Sequence, residues 1–199
     1  MVNNIIKILL LVVIIVLGYL VFESVMGPVR FKKEVDKRSE SVIQNMKDIR
    51  SAQMAYKNLY GKYTGGFDTL IGFIEKDSIP VVRMIPDPTD TTFTKTIRDT
   101  IGALSVVDSL FANRHNFNPE DIRYIPYTDK VEFTMSAGII EKGGVDVNVF
   151  EVLAPYSVLL KDLDEQSVIN LIAQKEQIER YPGLKVGSMT EANTDGNWE

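Results

Sequence analysis

The chain has 199 residues, 45% hydrophobic and 25% charged, with a formal charge of −5, a globular composition large enough for one domain with a real core. The acidic balance, without any basic run interleaved with aromatics, excludes a general nucleic-acid binder. With no cysteine and the single histidine His115, disulfides, thiolate metal sites, thiol nucleophiles and cysteine-linked lipid are excluded, and His-rich metal centres and a Ser-His-Asp triad are disfavoured.

Residues 8–22 carry no charge, Ile5 and Ile6 extend the run past Lys7, and continuing to Met26 gives the ~20 residues needed to cross a bilayer core. Leu, Ile and Val cover every face, so residues 5–26 are expected to meet lipid. The competing reading is a cleaved signal peptide, but Gly18-Tyr19-Leu20-Val21-Phe22-Glu23 offers no small-x-small cleavage pattern. Lys7 precedes the span, whereas Arg30, Lys32, Lys33, Lys37 and Arg38 follow it. Taken alone, that asymmetry favours a cytoplasmic C-terminal side.

Pro28 is expected to bend the helix without ending it. No Pro or Gly occurs in residues 31–60, where Val35, Val42, Met46, Ile49 and Tyr56 recur at helical steps, with Ser39 and Gln53 in the polar gaps. One long helix is predicted, with residues 1–27 as membrane anchor and residues 28–60 as its amphipathic continuation, ending at Gly61. The interrupted stripe suits the chain's own sheet better than a coiled coil.

Residues 61–190 are predicted to form an α/β globular head. Residues 67–74 read as a short helix after Gly65-Gly66. Pro80, Pro86 and Pro88 punctuate a loop region with extended pieces at residues 81–84 and 92–97. Leu104, Val107, Leu110 and Phe111 suggest a helix over residues 101–111. Val131, Phe133, Met135, Ala137 and Ile139 alternate with polar or small residues, and Val145, Val147 and Val149 resume the alternation after Gly143-Gly144. That pattern predicts an antiparallel hairpin with one face on the long helix. Asp162-x-x-Glu165 resembles a capping box for a helix reaching about Arg180, which Pro182-Gly183 stops. Residues 184–189 suit a last strand, and residues 191–199 form a polar C-terminal tail. The expected fold class is α+β: a long N-terminal helix on a small antiparallel sheet, with a further helix near the C-terminus.

An apolar N-terminal helix with a proline past its middle and an amphipathic second half resembles type IV pilins and type II secretion pseudopilins. The resemblance is most specific at Ile49-Arg50-Ser51-Ala52-Gln53-Met54-Ala55-Tyr56-Lys57, then Tyr60-Gly61-Lys62-Tyr63-Thr64 and Phe67-Asp68-Thr69-Leu70, and covers about the first third of the chain. Two family features are missing: a leader-peptidase site, and an acidic residue in residues 5–22. The resemblance implies a single-pass inner (cytoplasmic) membrane protein with its head periplasmic or extracellular, opposite to the charge count. It also implies other protein subunits as partners, including further copies of this chain.

In the tail, Glu191-x-Asn193-x-Asp195-Gly196 sets oxygen side chains at alternate positions before a glycine, the spacing of looped calcium ligands. Major pseudopilins hold calcium in an acidic C-terminal loop, often followed by Trp, and Asn197-Trp198 follows here. The resemblance therefore implies calcium as the one candidate cofactor, with Glu191, Asn193 and Asp195 as ligands. A solvated polar terminus is the simpler alternative. Asp87 and Asp90 flank Pro88 as turn residues, His115 sits between asparagines Asn113 and Asn116 without a second ligand type nearby, and both Gly-Gly pairs have turn explanations. No catalytic constellation emerges. The expected function is a membrane-anchored structural subunit of a cell-envelope assembly, in secretion or filament machinery. The alternative is a membrane-tethered extracytoplasmic ligand-binding or sensory module.

Overall fold

The computed structural model describes residues 2–86, 96–114 and 116–199. Helix α1 spans Val2–Tyr60 and contains Pro28. The proline leaves the Ser24 carbonyl without its usual donor, yet the helix continues. It ends where Gly61, at φ +76°, donates its N–H to the Lys57 carbonyl at 2.7 Å, a left-handed cap that glycine adopts without steric cost. Helix α2, Phe67–Lys76, follows and buries Phe67, Leu70, Ile71, Phe73 and Ile74.

The chain then forms a two-stranded antiparallel ribbon, β1 (Ser78–Pro86) and β2 (Thr96–Ser105). The expected extended piece at residues 81–84 lies inside β1. Of the second piece, only Thr96 and Ile97 fall among the described residues. The helix expected over residues 101–111 is corrected, because residues 101–105 complete β2 and only α3, Val106–Leu110, is helical. Gly102 weakens a helix there, while pairing with β1 satisfies the backbone. Ser105 then caps α3 by accepting from the Asp108 N–H at 3.0 Å.

A 3-10 turn at Pro119–Arg123 leads to the main sheet, β3 (Thr134–Lys142), β4 (Val145–Pro155) and β5 (Gly183–Gly187), in the order β3-β4-β5 with both pairs antiparallel. Gly143 and Gly144 sit at φ +62° and +77° between Lys142 and Val145, which pair directly. These are the conformations a two-residue type I′ hairpin demands. The predicted alternation holds only in part. Met135 and Ala137 pack inward, but Ile139 and Val145 are exposed because the hairpin tip runs past the core.

Helix α4 is Tyr156–Leu159 and α5 is Glu165–Gln177. The capping residue of α5 is Asp164, accepting from the Ser167 N–H at 2.8 Å, rather than Asp162. The fold is α+β. One core joins Val42, Met46, Ile49 and Ala52 of α1 to Leu70 and Ile74 of α2, Phe150 and Val152 of β4, and Leu184 and Val186 of β5.

Candidate functional site: the anchor and its junction with the head

Among the described residues, one helix is long and apolar enough to cross a membrane, near the N-terminus, consistent with single-pass placement. From Ile6 onward its first half has, among the described residues, no protein neighbour to bury it: Ile8 is 65% exposed and Val21 65%. Twenty residues from Ile8 to Gly27 rise about 30 Å, the thickness of a bilayer core. At the head end of this run Glu23 pairs with Arg30 two turns on, so the acid nearest the span has its charge compensated.

The second half of α1 turns a stripe inward that is not wholly apolar. Arg38 lies one turn before Val42 on this face and is buried. Its Nη1 donates to the Leu159 carbonyl at 3.0 Å, its fork holds the Asp162 carboxylate with Nη2 at 2.7 Å, and its Nε reaches Glu34 at 3.1 Å. The guanidinium bond holds the Asp162 carboxyl at about 2, below the ordinary carboxylate range. Asp48, also buried, accepts from Gln44 at 3.1 Å and pairs with Arg114 at 2.8 Å. Burial nonetheless raises its pKa, against the lowering effect of Arg114.

Gln53 is completely buried. Its amide grips both backbone polar atoms of Thr64, donating to the carbonyl at 2.6 Å and accepting from the N–H at 3.1 Å. Tyr56 meets Phe73 edge-on at 5.3 Å, Tyr63 packs on Phe150 at 4.7 Å, and the Lys57 ammonium sits 4.7 Å from the Tyr63 ring centre. The residues of the motif at 49–64 thus form the joint between helix, turn and sheet.

The tail is docked rather than free. Gly187 N–H donates to the Asp195 carbonyl at 3.0 Å and Asn197 N–H to the Lys185 carbonyl at 2.9 Å, extending the open edge of β5. Gly187, at φ +75°, has no room for a side chain, since a Cβ would lie 2.2 Å from the Phe150 carbonyl oxygen. Arg50 holds the Glu199 carboxylate at 2.9 Å, and Trp198 packs against the core. Glu191, Asn193 and Asp195 have exposed side chains on the turn that leads into this docked stretch, where the Asn193 side-chain oxygen accepts from the Asp195 N–H at 2.8 Å. That oxygen already serves the local turn. Among the described residues, no three His, Cys, Asp or Glu side chains cluster closely enough to hold a metal. Asp87, Asp90 and His115 lie outside the described residues.

Sequence reasoning missed the Arg38–Asp162 link, although one signal pointed to it. A cation at position 38, in step with Val42, Met46, Ile49 and Gln53, needs a buried partner. It also missed the ribbon, whose Met84 and Ile101 are 61% and 58% exposed. Comparisons of the chain with family models, curated proteins and solved structures find no match.

Proposed function

We propose that the chain is a pilin-like structural subunit of a cell-envelope assembly, of the secretion or filament type. It is anchored once in the inner membrane, with its head on the non-cytoplasmic side. The observation that carries this reading is the single helix α1, whose exposed apolar half suits lipid while its other half is the spine of the head. Such a part fixes a head at a set height above a membrane, and bundling the apolar halves brings heads together. The β1–β2 ribbon supports the same reading. It touches the head mainly at its base, exposes Val82, Met84, Ile97, Ile101 and Leu104, and among the described residues leaves an open edge on each strand. Exposed apolar strand edges of this kind suit subunit contacts.

Because the chain has no native cysteine, single-cysteine variants give clean tests. Ser136→Cys lies on the exposed face of β3 and is expected to react with an impermeant thiol reagent in intact spheroplasts. Labelling only after lysis would place the head in the cytoplasm. Gly18→Cys in the shaft is expected to form disulfide-linked oligomers in native membranes under mild oxidation. A strictly monomeric pattern there, and on native gels after detergent extraction, would favour the tethered binding module.

A further inference from the structure

A groove of about 700 Å³ opens between α1 and α5 immediately above the anchor. Phe31 and Val35 of α1, Tyr156 of α4 and Leu171 of α5 give it an apolar floor, with Lys32, Lys175 and Asp36 around it. Lys32 and Asp36 stand one helical turn apart, close enough to pair, yet among the described residues neither makes a salt bridge, and neither does Lys175. Two ammonium groups and one carboxylate thus line one apolar cleft without neutralising one another.

The rise of α1 sets their depth. With the bilayer core ending near Gly27, Lys32 lies about 7 Å and Asp36 about 13 Å farther along the axis. Side chains on a helix lean toward its N-terminus, here toward the membrane. The Lys32 ammonium therefore falls in the headgroup layer, about 5–8 Å deep, and the Asp36 carboxylate a few ångströms outside it, where it can meet the end of a headgroup. Along α1, positive charge at Lys32 lies deep and negative charge at Asp36 outward, which is complementary to a headgroup with a phosphate below and a primary ammonium above.

We propose that this groove seats one ethanolamine phospholipid, its phosphate between Lys32 and Lys175, its ammonium at Asp36, and its glycerol and upper acyl carbons on Phe31, Val35, Tyr156 and Leu171. The proposal rests on the anchor crossing the bilayer, not on assembly or on which side the head lies. A choline headgroup cannot donate hydrogen bonds to Asp36, and a glycerol headgroup offers it no charge, so the site discriminates among phospholipids.

The test uses the full-length protein in nanodiscs containing equal parts ethanolamine, glycerol and choline phospholipids, released into native mass spectrometry. One ethanolamine phospholipid is expected to remain bound, at least fivefold over either competitor. Lys32→Ala with Lys175→Ala should lose all retained lipid, Lys32→Arg with Lys175→Arg should restore it, and Asp36→Asn should keep phospholipid without headgroup preference. Lys142→Ala, at the hairpin tip, serves as control and should behave as wild type. Equal retention by the double alanine variant, or absence of preference in the wild type, would each overturn the proposal. Alkaline carbonate extraction separates its failure from that of the membrane reading. If wild type is extracted, the anchor reading falls and the site with it, whereas an unextracted protein without lipid preference sinks the site alone.

Discussion

Removing Arg38 should cost the head much more stability than removing the carboxylate it holds. The Leu159 carbonyl stands at the C-terminal end of α4, in a residue with 0% exposure, and accepts from Arg38 at 3.0 Å. Arg38→Ala leaves that carbonyl unpaired, at a cost of ~1–3 kcal/mol. The ion pair adds less, because the Asp162 side chain is 64% exposed and water screens it to roughly 1 kcal/mol. Arg38→Ala is thus expected to cost about 2–4 kcal/mol and Asp162→Ala about 1, since in the latter Arg38 keeps Leu159 and Glu34. The pair also has a pH signature. The Asp162 pKa is depressed to about 2 in the folded protein, so its contribution is fully present above its unfolded value near ~4. It is lost as pH falls through the folded value. Urea unfolding of residues 28–199, followed by circular dichroism, should show the gap between wild type and Arg38→Ala narrowing from pH 4 toward pH 2. Equal costs for the two variants, or a gap that does not move with pH, would refute the assignment.

Deleting residues 1–27 should yield a soluble, monodisperse head, because the core begins beyond Pro28; aggregation on size-exclusion chromatography would put the division elsewhere. Ile49 is 0% exposed, so Ile49→Ala should lower the unfolding free energy by ~2–5 kcal/mol. Ile49→Asp should abolish the native circular dichroism signal, and a folded Ile49→Asp head would show that this face is not core. If Glu191, Asn193 and Asp195 take calcium, millimolar calcium should raise the melting temperature and a chelator should reverse it. Glu191→Ala with Asp195→Ala should remove that shift, and a calcium-insensitive wild type would reduce the tail to its hydrogen-bonded docking alone.

What was legible in the sequence was what short-range chemistry decides. The uncharged run before Glu23, the glycine after Tyr60 and the Gly143-Gly144 turn each specify local backbone, and the structure follows them. The apolar stripe at Val42, Met46 and Ile49 likewise announced the buried face. The errors arose where a distant partner overrides a local pattern. Residues 101–105 carry helical spacing but pair with β1. Asp162 has the spacing of a cap but is held by Arg38, 124 residues away, which leaves capping to Asp164. The tail has the polarity of a loose end, yet Asn197 and Arg50 fasten it. Neither partner is visible within a window of local sequence.

The polar residues on the inward side of α1 explain how the head keeps its height above the anchor. An apolar stripe alone recurs every turn, so a helix could slide by about 5.4 Å against the sheet and bury similar side chains. Arg38, Asp48 and Gln53 remove that degeneracy, since each finds its partner at only one register: Leu159 and Asp162, Arg114, and Thr64. A one-turn slip would strand all three, at ~1–3 kcal/mol for each buried group left unpaired. The sum, roughly 3–9 kcal/mol, rivals the whole stability of an ordinary domain at ~5–15 kcal/mol. Pro28 does not undo the coupling, because the helix continues through it. With the proposed placement of α1 in a bilayer, the distance from that bilayer to the ribbon and to the α1–α5 groove is therefore set by side chains within the head. Substitutions at Arg38 or Gln53 should disturb membrane-proximal contacts that neither residue touches.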